Sequence, residues 1–186
     1  MLSRRRAALA AITVFAAAAT LLLAMGRNPI CTCGAVDLWV SSRDSPRTSQ
    51  MLFDWYSLSH IVHGLLFYAA LWLVARRWPV EWRFVVALAV EATWEVIENT
   101  PMVIDRYRAE TAALGYNGDS VLNSLSDISM MALGFLLARK LPVWGAVALL
   151  VVLELVPLVV IRDNLALNIW NLLAPNAAVQ AWQTGG

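Results

Sequence analysis

The sequence predicts an all-α membrane protein, and three observations carry that expectation. Five continuously apolar stretches, about 7–25, 57–75, 80–99, 120–138 and 143–161, each approach the ~20 residues that a helix needs to cross a bilayer. Basic residues cluster at alternate ends of these stretches, as the positive-inside pattern requires. Histidine and carboxylate side chains lie within the apolar stretches, where an ionisable group is expensive and therefore faces the interior of a bundle. The expected fold is thus a helical membrane protein with five transmembrane helices plus a C-terminal interfacial helix.

Composition agrees. The chain has 186 residues, which suits a single integral membrane domain over 1–186. It is 60% hydrophobic and 15% charged, with a mean hydropathy of +0.62. These values exclude a disordered chain, and continuous rather than alternating apolar runs argue for helices over a barrel. A net charge of +1 without a dense basic patch points to no nucleic-acid partner.

The first span follows Arg4, Arg5 and Arg6. Its apolar region is long and no A-x-A site stands at its end, directly before Arg27, so it is expected to be an uncleaved anchor. Arg76 and Arg77 follow the second span, Arg83 opens the third, and Arg139 and Lys140 follow the fourth. All fall on one side if the N-terminus is cytoplasmic, which leaves the C-terminus outside. Trp78, Trp82 and Trp144 mark the inner interface, Trp55 and Tyr56 the outer one. Pro79 and Pro142 begin spans three and five, where a missing N–H costs nothing. The stretches 26–56 and 100–119 are expected as outer loops. After Arg162, Asn164, Asn168 and Asn171 share one helical face, opposite Leu165, Ile169, Leu172 and Leu173, until Pro175. This segment, about 164–174, is too short to span and is expected to lie in the outer interface.

At 100° per residue, Glu91, Glu95 and Glu98 fall within about 60° of arc on span three. Asp119, Asn123, Ser126 and Asp127 form a stripe on span four, and Tyr56, His60, His63, Gly64 and Phe67 form another on span two. At 1.5 Å rise per residue, Glu95 lies about 18 Å from Arg83, Asp127 about 18 Å from Arg139, and His63 about 20 Å from Arg76. Glu154 lies about 18 Å from Pro142, and Glu91 one turn deeper than Glu95, roughly 12 Å from Arg83. His60, His63, Glu95, Glu98, Asp127 and Glu154 are therefore expected to converge in the outer half of the bilayer.

His60-x-x-His63 and Glu95-x-x-Glu98 each place two donors on adjacent turns, as in carboxylate–histidine metal bundles. The expected metal set is His60, His63, Glu95, Glu98 and Asp127, and its mixed N/O donors suit Zn, Mn or Fe. Glu95, Asp127 and Asp119 are the candidate acids and bases. Arg106, Arg108, Asn123 and Arg162 are candidates for binding an anionic or lipid-linked substrate. Asp119 has a second reading as the cap of span four, and Glu154 a structural one beside Pro157, whose ring frees the Leu153 carbonyl. A serine nucleophile lacks a G-x-S-x-G elbow. Cys31 and Cys33 leave several readings open: a local staple, an interchain pair, a metal site or a redox site. Pro29 and Gly34 mark a fixed turn around them. Three functions remain open: a metal-dependent envelope or lipid hydrolase or transferase, a proton- or cation-coupled carrier or channel, and a non-catalytic scaffold.

Several motifs resemble those of UPF-0314, an uncharacterised family of bacterial multi-pass membrane proteins. They are Arg27-Asn-Pro-Ile-Cys-Thr-Cys-Gly34, Asp54-Trp-Tyr56, Ser59-His-Ile-Val-His-Gly64, Trp94-Glu-Val-Ile-Glu-Asn99, Asp105-Arg-Tyr-Arg108, Gly118-Asp-Ser-Val-Leu-Asn-Ser124 and Arg162-Asp-Asn164. The resemblance covers nearly everything after the first span. It implies a place in the inner membrane of alphaproteobacteria and brings no established activity. The order Glu95/Glu98, Arg106, Asp119, Asn123 and Gly134 also resembles the architecture of the VanZ-like membrane proteins. It departs from them in having Asp127 where those proteins carry glycines after the Asn.

Overall fold

A computed structural model describes residues 2–111, 113 and 115–185. Among them the chain forms eight helices: α1 (Leu2–Ala24), α2 (Ser57–Val74), α3 (Val80–Glu98), α4 (Pro101–Glu110), α5 (Val121–Lys140), α6 (Val143–Ile161), α7 (Leu165–Leu173) and α8 (Ala177–Thr184). No strand occurs among the described residues, and one isolated bridge joins Trp39 to Phe53. Four helices, α1, α2, α5 and α6, are long and apolar enough to cross a membrane. α3 is as long as α6 but carries Glu81, Arg83, Glu91, Glu95 and Glu98. Those charges hold its mean hydropathy down, although Glu91 and Glu95 are buried inside the bundle and Val90 and Ile97 face outward.

Two of the expected outer segments are more regular than anticipated. Pro101 occupies the first turn of α4, where its fixed φ favours a helix, so 100–119 is only partly a loop. Beyond α7, Asn176 accepts from the Ala178 and Val179 N–H groups and starts α8, an element absent from the expectation.

The bundle is apolar in one half and polar in the other. Ala87, Leu88, Ile128, Met131 and Phe135 form a dry core with Ala18 and Ala92. The Tyr68 and Phe84 rings meet Phe135 edge-on at centroid distances of 5.1 and 5.3 Å. α2 and α5 make the most intimate contact, because Gly64 and Gly134 let the two backbones touch.

The 26–56 loop closes the polar end by satisfying the donors at the start of α5. Ser120, Val121 and Leu122 N–H groups donate to the carbonyls of Ser49, Asn28 and Pro29 at 2.9, 2.8 and 3.1 Å. Asn123 donates to the Met51 carbonyl at 2.9 Å. Ser120, not Asp119, is the N-cap, since its Oγ accepts from the Asn123 N–H at 3.1 Å. In the same loop Cys31 and Cys33 are joined to each other, which selects the local staple. Gly34 turns the chain at φ +75°, a conformation that favours glycine.

Glu154 does not join the polar centre. Its carboxylate accepts from the Ala166 N–H at 3.1 Å, at the N-terminus of α7, where negative charge is favoured. α6 ends at Arg162 in the left-handed region, and the chain folds back through Asp163. Asp163 is fully buried and accepts from the Asn164 N–H, the Gln183 amide and the Tyr56 hydroxyl at 3.0, 3.0 and 3.1 Å. Burial raises its carboxyl to about 6, against these donors and the Arg43 charge, which pull it down.

A carboxyl raised on folding binds its proton more tightly in the native state. Its contribution is therefore complete below the unfolded value near 4 and is lost as pH rises through about 6. The melting temperature in detergent should fall between pH 4 and 7, with a share on the order of 2 kcal/mol from Asp163. Asp163→Asn keeps an acceptor for Asn164 and Gln183 and should flatten that slope. A variant whose slope matches the wild type would refute the assignment.

Candidate functional site

Three helices and one loop present their polar faces to a single centre. α2 contributes His60 and His63, α3 contributes Glu91, Glu95 and Glu98, α5 contributes Asp127, and the chain before α5 contributes Asp119. Ligand-type atoms approach within 4.8 Å of one another in three overlapping sets: His60, His63 and Glu91; His60, Glu95 and Asp127; Glu95, Glu98 and Asp119. A buried group of this kind is compatible with a metal site.

Glu91 is fully buried and ties the two histidines together. Its Oε1 lies 2.5 Å from His60 Nδ1, and both its oxygens lie 3.1 Å from His63 Nδ1. A carboxylate on Nδ1 fixes the tautomer and leaves Nε2 bare, the arrangement found behind metal-bound histidines. His60 Nε2 faces Asp127 Oδ2 at 3.8 Å. Ser57 Oγ donates to the other Asp127 oxygen at 2.8 Å. The His63 ring stacks on Phe67 at 5.7 Å, and the His60 ring meets it edge-on at 5.2 Å.

Glu95 is 1% exposed, and neither of its oxygens has a hydrogen-bond partner. The closest positive candidate is His60 Nδ1, at 3.5 Å. Toward the outside, the Tyr107 hydroxyl faces Glu98. Asp119 Oδ2 accepts from the Asn99 amide at 2.8 Å and the Tyr116 hydroxyl at 2.9 Å, and the Asp119 N–H donates to Asn99 Oδ1 at 2.7 Å. Burial raises the Asp119 carboxyl to about 6 in spite of those two donors. Burial and the neighbouring carboxylates push the Tyr107 and Tyr116 phenols well above their usual range, so both stay donors at neutral pH.

Two cavities meet at this centre. A cleft of about 410 Å³ is lined by His60, His63, Glu91, Glu98 and Asp127 together with Leu66, Phe67, Val90, Trp94, Ile169 and Leu172. Leu66 and Val90 are about half exposed on the outer surface of the bundle, so the cleft opens through an apolar face. A second cavity of about 580 Å³ is polar and lined by Arg27, Arg43, Thr48, Gln50 and Asn117. Ser49, Tyr56, Tyr116 and Asp119 belong to both, which makes them the shared wall.

The structure thus brings His60, His63, Glu95, Glu98, Asp127 and Asp119 together and adds Glu91. Glu91 shares the helical face of Glu95 and Glu98, and that spacing was its signal in the sequence. Although it lies a turn deeper than Glu95 along α3, its carboxylate reaches both histidines. Asn99 continues the same face. Tyr107 and Tyr116 had no sequence signal, since α4 and the chain after it carry them back over the site. Four candidate substrate contacts lie elsewhere. Arg106 donates to the Leu172 carbonyl at 3.2 and 2.9 Å, and Arg108 to the Tyr116 carbonyl at 2.6 Å. Arg162 donates to the Trp182 carbonyl at 3.0 Å, and Asn123 holds the loop at Met51. None of the four lines either cavity.

Comparison with known proteins places the chain among relatives of undefined activity. The family described as "Protein of unknown function (DUF2585)" matches residues 22–185. A UPF0314 protein of Paracoccus denitrificans is 52% identical over 184 residues, 98% of this chain and 95% of the relative. UPF0314 proteins of Novosphingobium aromaticivorans and Sphingopyxis alaskensis are 49% and 46% identical, covering 100% and 96% of this chain and 96% and 95% of the relatives. No solved structure matches. With matches at this identity over nearly its whole length, the chain belongs to the uncharacterised DUF2585/UPF0314 family.

Proposed function

We propose that this protein is a metal-dependent hydrolase or transferase of the bacterial inner membrane, acting on a lipid-linked or anionic amphiphile at the outer half of the bilayer. The observation that carries this reading is that the histidine–carboxylate centre lines an apolar cleft and, through Asp119, reaches the wall that this cleft shares with a polar cavity. An amphiphile occupying both spaces sets its tail among Leu66, Phe67, Val90 and Ile169 and its head beside Arg27 and Arg43. The bond between head and tail then passes the acidic centre. His60, Glu95 and Asp127, which form one ligand set, would hold a Zn, Mn or Fe ion, and Glu91 would join His63 to it by binding both rings. Such an ion polarises a carbonyl or phosphoryl oxygen and activates water at neutral pH. Asp119, which lines the head cavity, and Glu98 beside it continue the acidic centre toward the head group.

Five crossings, α1, α2, α3, α5 and α6, accompany this reading, with the N-terminus cytoplasmic, the C-terminus periplasmic and the whole chain one integral domain. The inward-facing acids of α3 support its inclusion, because a helix judged by average hydropathy is penalised for residues that lipid never meets. A carrier is less well supported. Below Glu91 the interior is closed by Ala87, Leu88, Ile128, Met131 and Phe135, each at most 1% exposed.

Purified protein in mixed micelles with Zn, Mn or Fe should turn over phospholipids or lipid-linked phosphates. A chelator or His63→Ala should abolish that turnover. Absence of turnover of both classes by folded, metal-loaded protein would overturn the catalytic reading. Reporters placed after residues 140 and 186 should be accessible from the cytoplasm and the periplasm respectively, and the reverse would overturn the topology.

A further inference from the structure

We propose that Glu95, Glu98 and Asp119 hold a second divalent cation, and that Glu95 bridges it to the ion at the histidines. The proposal rests on the metal-dependent reading above and extends it to a two-ion centre.

Glu95 is the observation that makes this group more than a cluster of acids. It is 1% exposed, both its oxygens lack hydrogen-bond partners, and it belongs to two ligand sets at once. One set joins it to His60 and Asp127, the other to Glu98 and Asp119. A carboxylate left bare in a sealed interior loses its hydration without compensation, which costs several kcal/mol in general. Among the described residues, no Lys or Arg forms an ion pair with any of the three carboxylates. The donor groups facing them are His60, Tyr107, Tyr116 and Asn99. Of these only His60 can carry a positive charge, and it is shared with Glu91 and Asp127. A cation between the three acids supplies the missing charge, and the two free oxygens of Glu95 suit one ion on each side.

The two positions differ in chemistry. The histidine position offers imidazole nitrogen and suits Zn, Mn or Fe. The second offers carboxylate oxygen alone and suits a harder ion, Mg or Mn. Tyr116 and Asn99 hold Asp119, and Tyr107 faces Glu98, so the second position is already oriented. Glu98 lines the cleft and Asp119 lines both cavities, so a ligand at their shared wall can reach this ion as well as the first. Two ions about 3.5–4 Å apart are the arrangement that clamps a phosphoryl group on both of its reacting oxygens. This narrows the amphiphile to one whose head and tail are joined through a phosphoester.

The test is titration of metal-free, full-length protein in detergent with Mn(II), followed by binding stoichiometry and low-temperature electron paramagnetic resonance. Two Mn(II) per chain with an exchange-coupled spectrum are expected. Glu98→Gln should bind one Mn(II), with the uncoupled six-line signal of an isolated ion and an unchanged melting curve. One uncoupled Mn(II) per wild-type chain, retained in Glu98→Gln, would overturn the second site and leave the histidine site standing. No binding of Mn(II) or Zn(II) to folded wild type would overturn both readings. Two Mn(II) bound by a folded Glu98→Gln would place the second ion elsewhere and refute the assignment.

Discussion

Glu91→Gln is expected to weaken metal binding by about 10- to 100-fold while leaving the fold intact, the usual effect of removing a carboxylate that orients ligating histidines. The carboxylate accepts from both imidazoles, with Oε1 2.5 Å from His60 Nδ1 and both oxygens 3.1 Å from His63 Nδ1. A glutamine offers one acceptor and one donor in the same space. One ring must then present a bare Nδ1 to the amide N–H, which moves its proton to Nε2 and removes that nitrogen from the metal. Competition with a chromophoric chelator reads the affinity, and a melting curve guards against misfolding. Turnover should drop by a similar factor. Unchanged affinity in a well-folded Glu91→Gln would show that the histidines need no common acceptor.

Gly64→Ala is expected to cost about 3 kcal/mol or more, at the upper end for overpacking. A Cβ on Gly64 would land on the Met131 carbonyl oxygen, 2.5 Å from the Phe135 nitrogen and 2.8 Å from the Gly134 carbonyl carbon. All three are backbone atoms, so no side chain can turn aside and α2 must move away from α5. Gly134→Ala meets the Ile61 backbone in the same way, with the carbonyl carbon at 2.9 Å. His60 and Asp127 sit one turn from this contact on opposite helices, so metal affinity should fall together with stability. Gly145→Ala is the control: its nearest neighbours would be 3.4 Å away, on the Pro142 ring. It should be neutral or stabilise α6 by less than about 1 kcal/mol. Melting in detergent checks all three, and equal melting temperatures for Gly64→Ala and Gly145→Ala would refute the close-packing argument.

Much of this molecule was legible because the physics concerned is local. A helix repeats every 3.6 residues, so Glu91, Glu95 and Glu98 declared a shared face without any knowledge of what lies opposite. Continuous apolar runs fixed the five long helices to within a few residues at each end, since prolines at 79 and 142 and the N-cap at Ser120 mark their starts. The four helices of unambiguous apolarity and the polar face of α3 follow from residue type alone. The requirement that buried acids find company followed as well, and it brought His60, His63, Glu95, Glu98 and Asp127 to one place.

What the sequence could not determine was which partner each group takes, because partnership depends on helix tilt and on loops that return from a distance. Glu154 has the right depth but faces the start of α7, because α6 packs on the other side of α2. Glu91 lies a turn below its neighbours in the sequence and yet meets both histidines, because the close Gly64–Gly134 contact sets the relation of α2 to the rest of the bundle. Arg106, Arg108 and Arg162 offer the charge an anion needs, but each donates to a backbone carbonyl and none lines either cavity. Periodicity fixes which side of a helix is polar. Only tertiary packing decides what that side touches, since it alone sets the distances over which hydrogen bonds and ligands are shared.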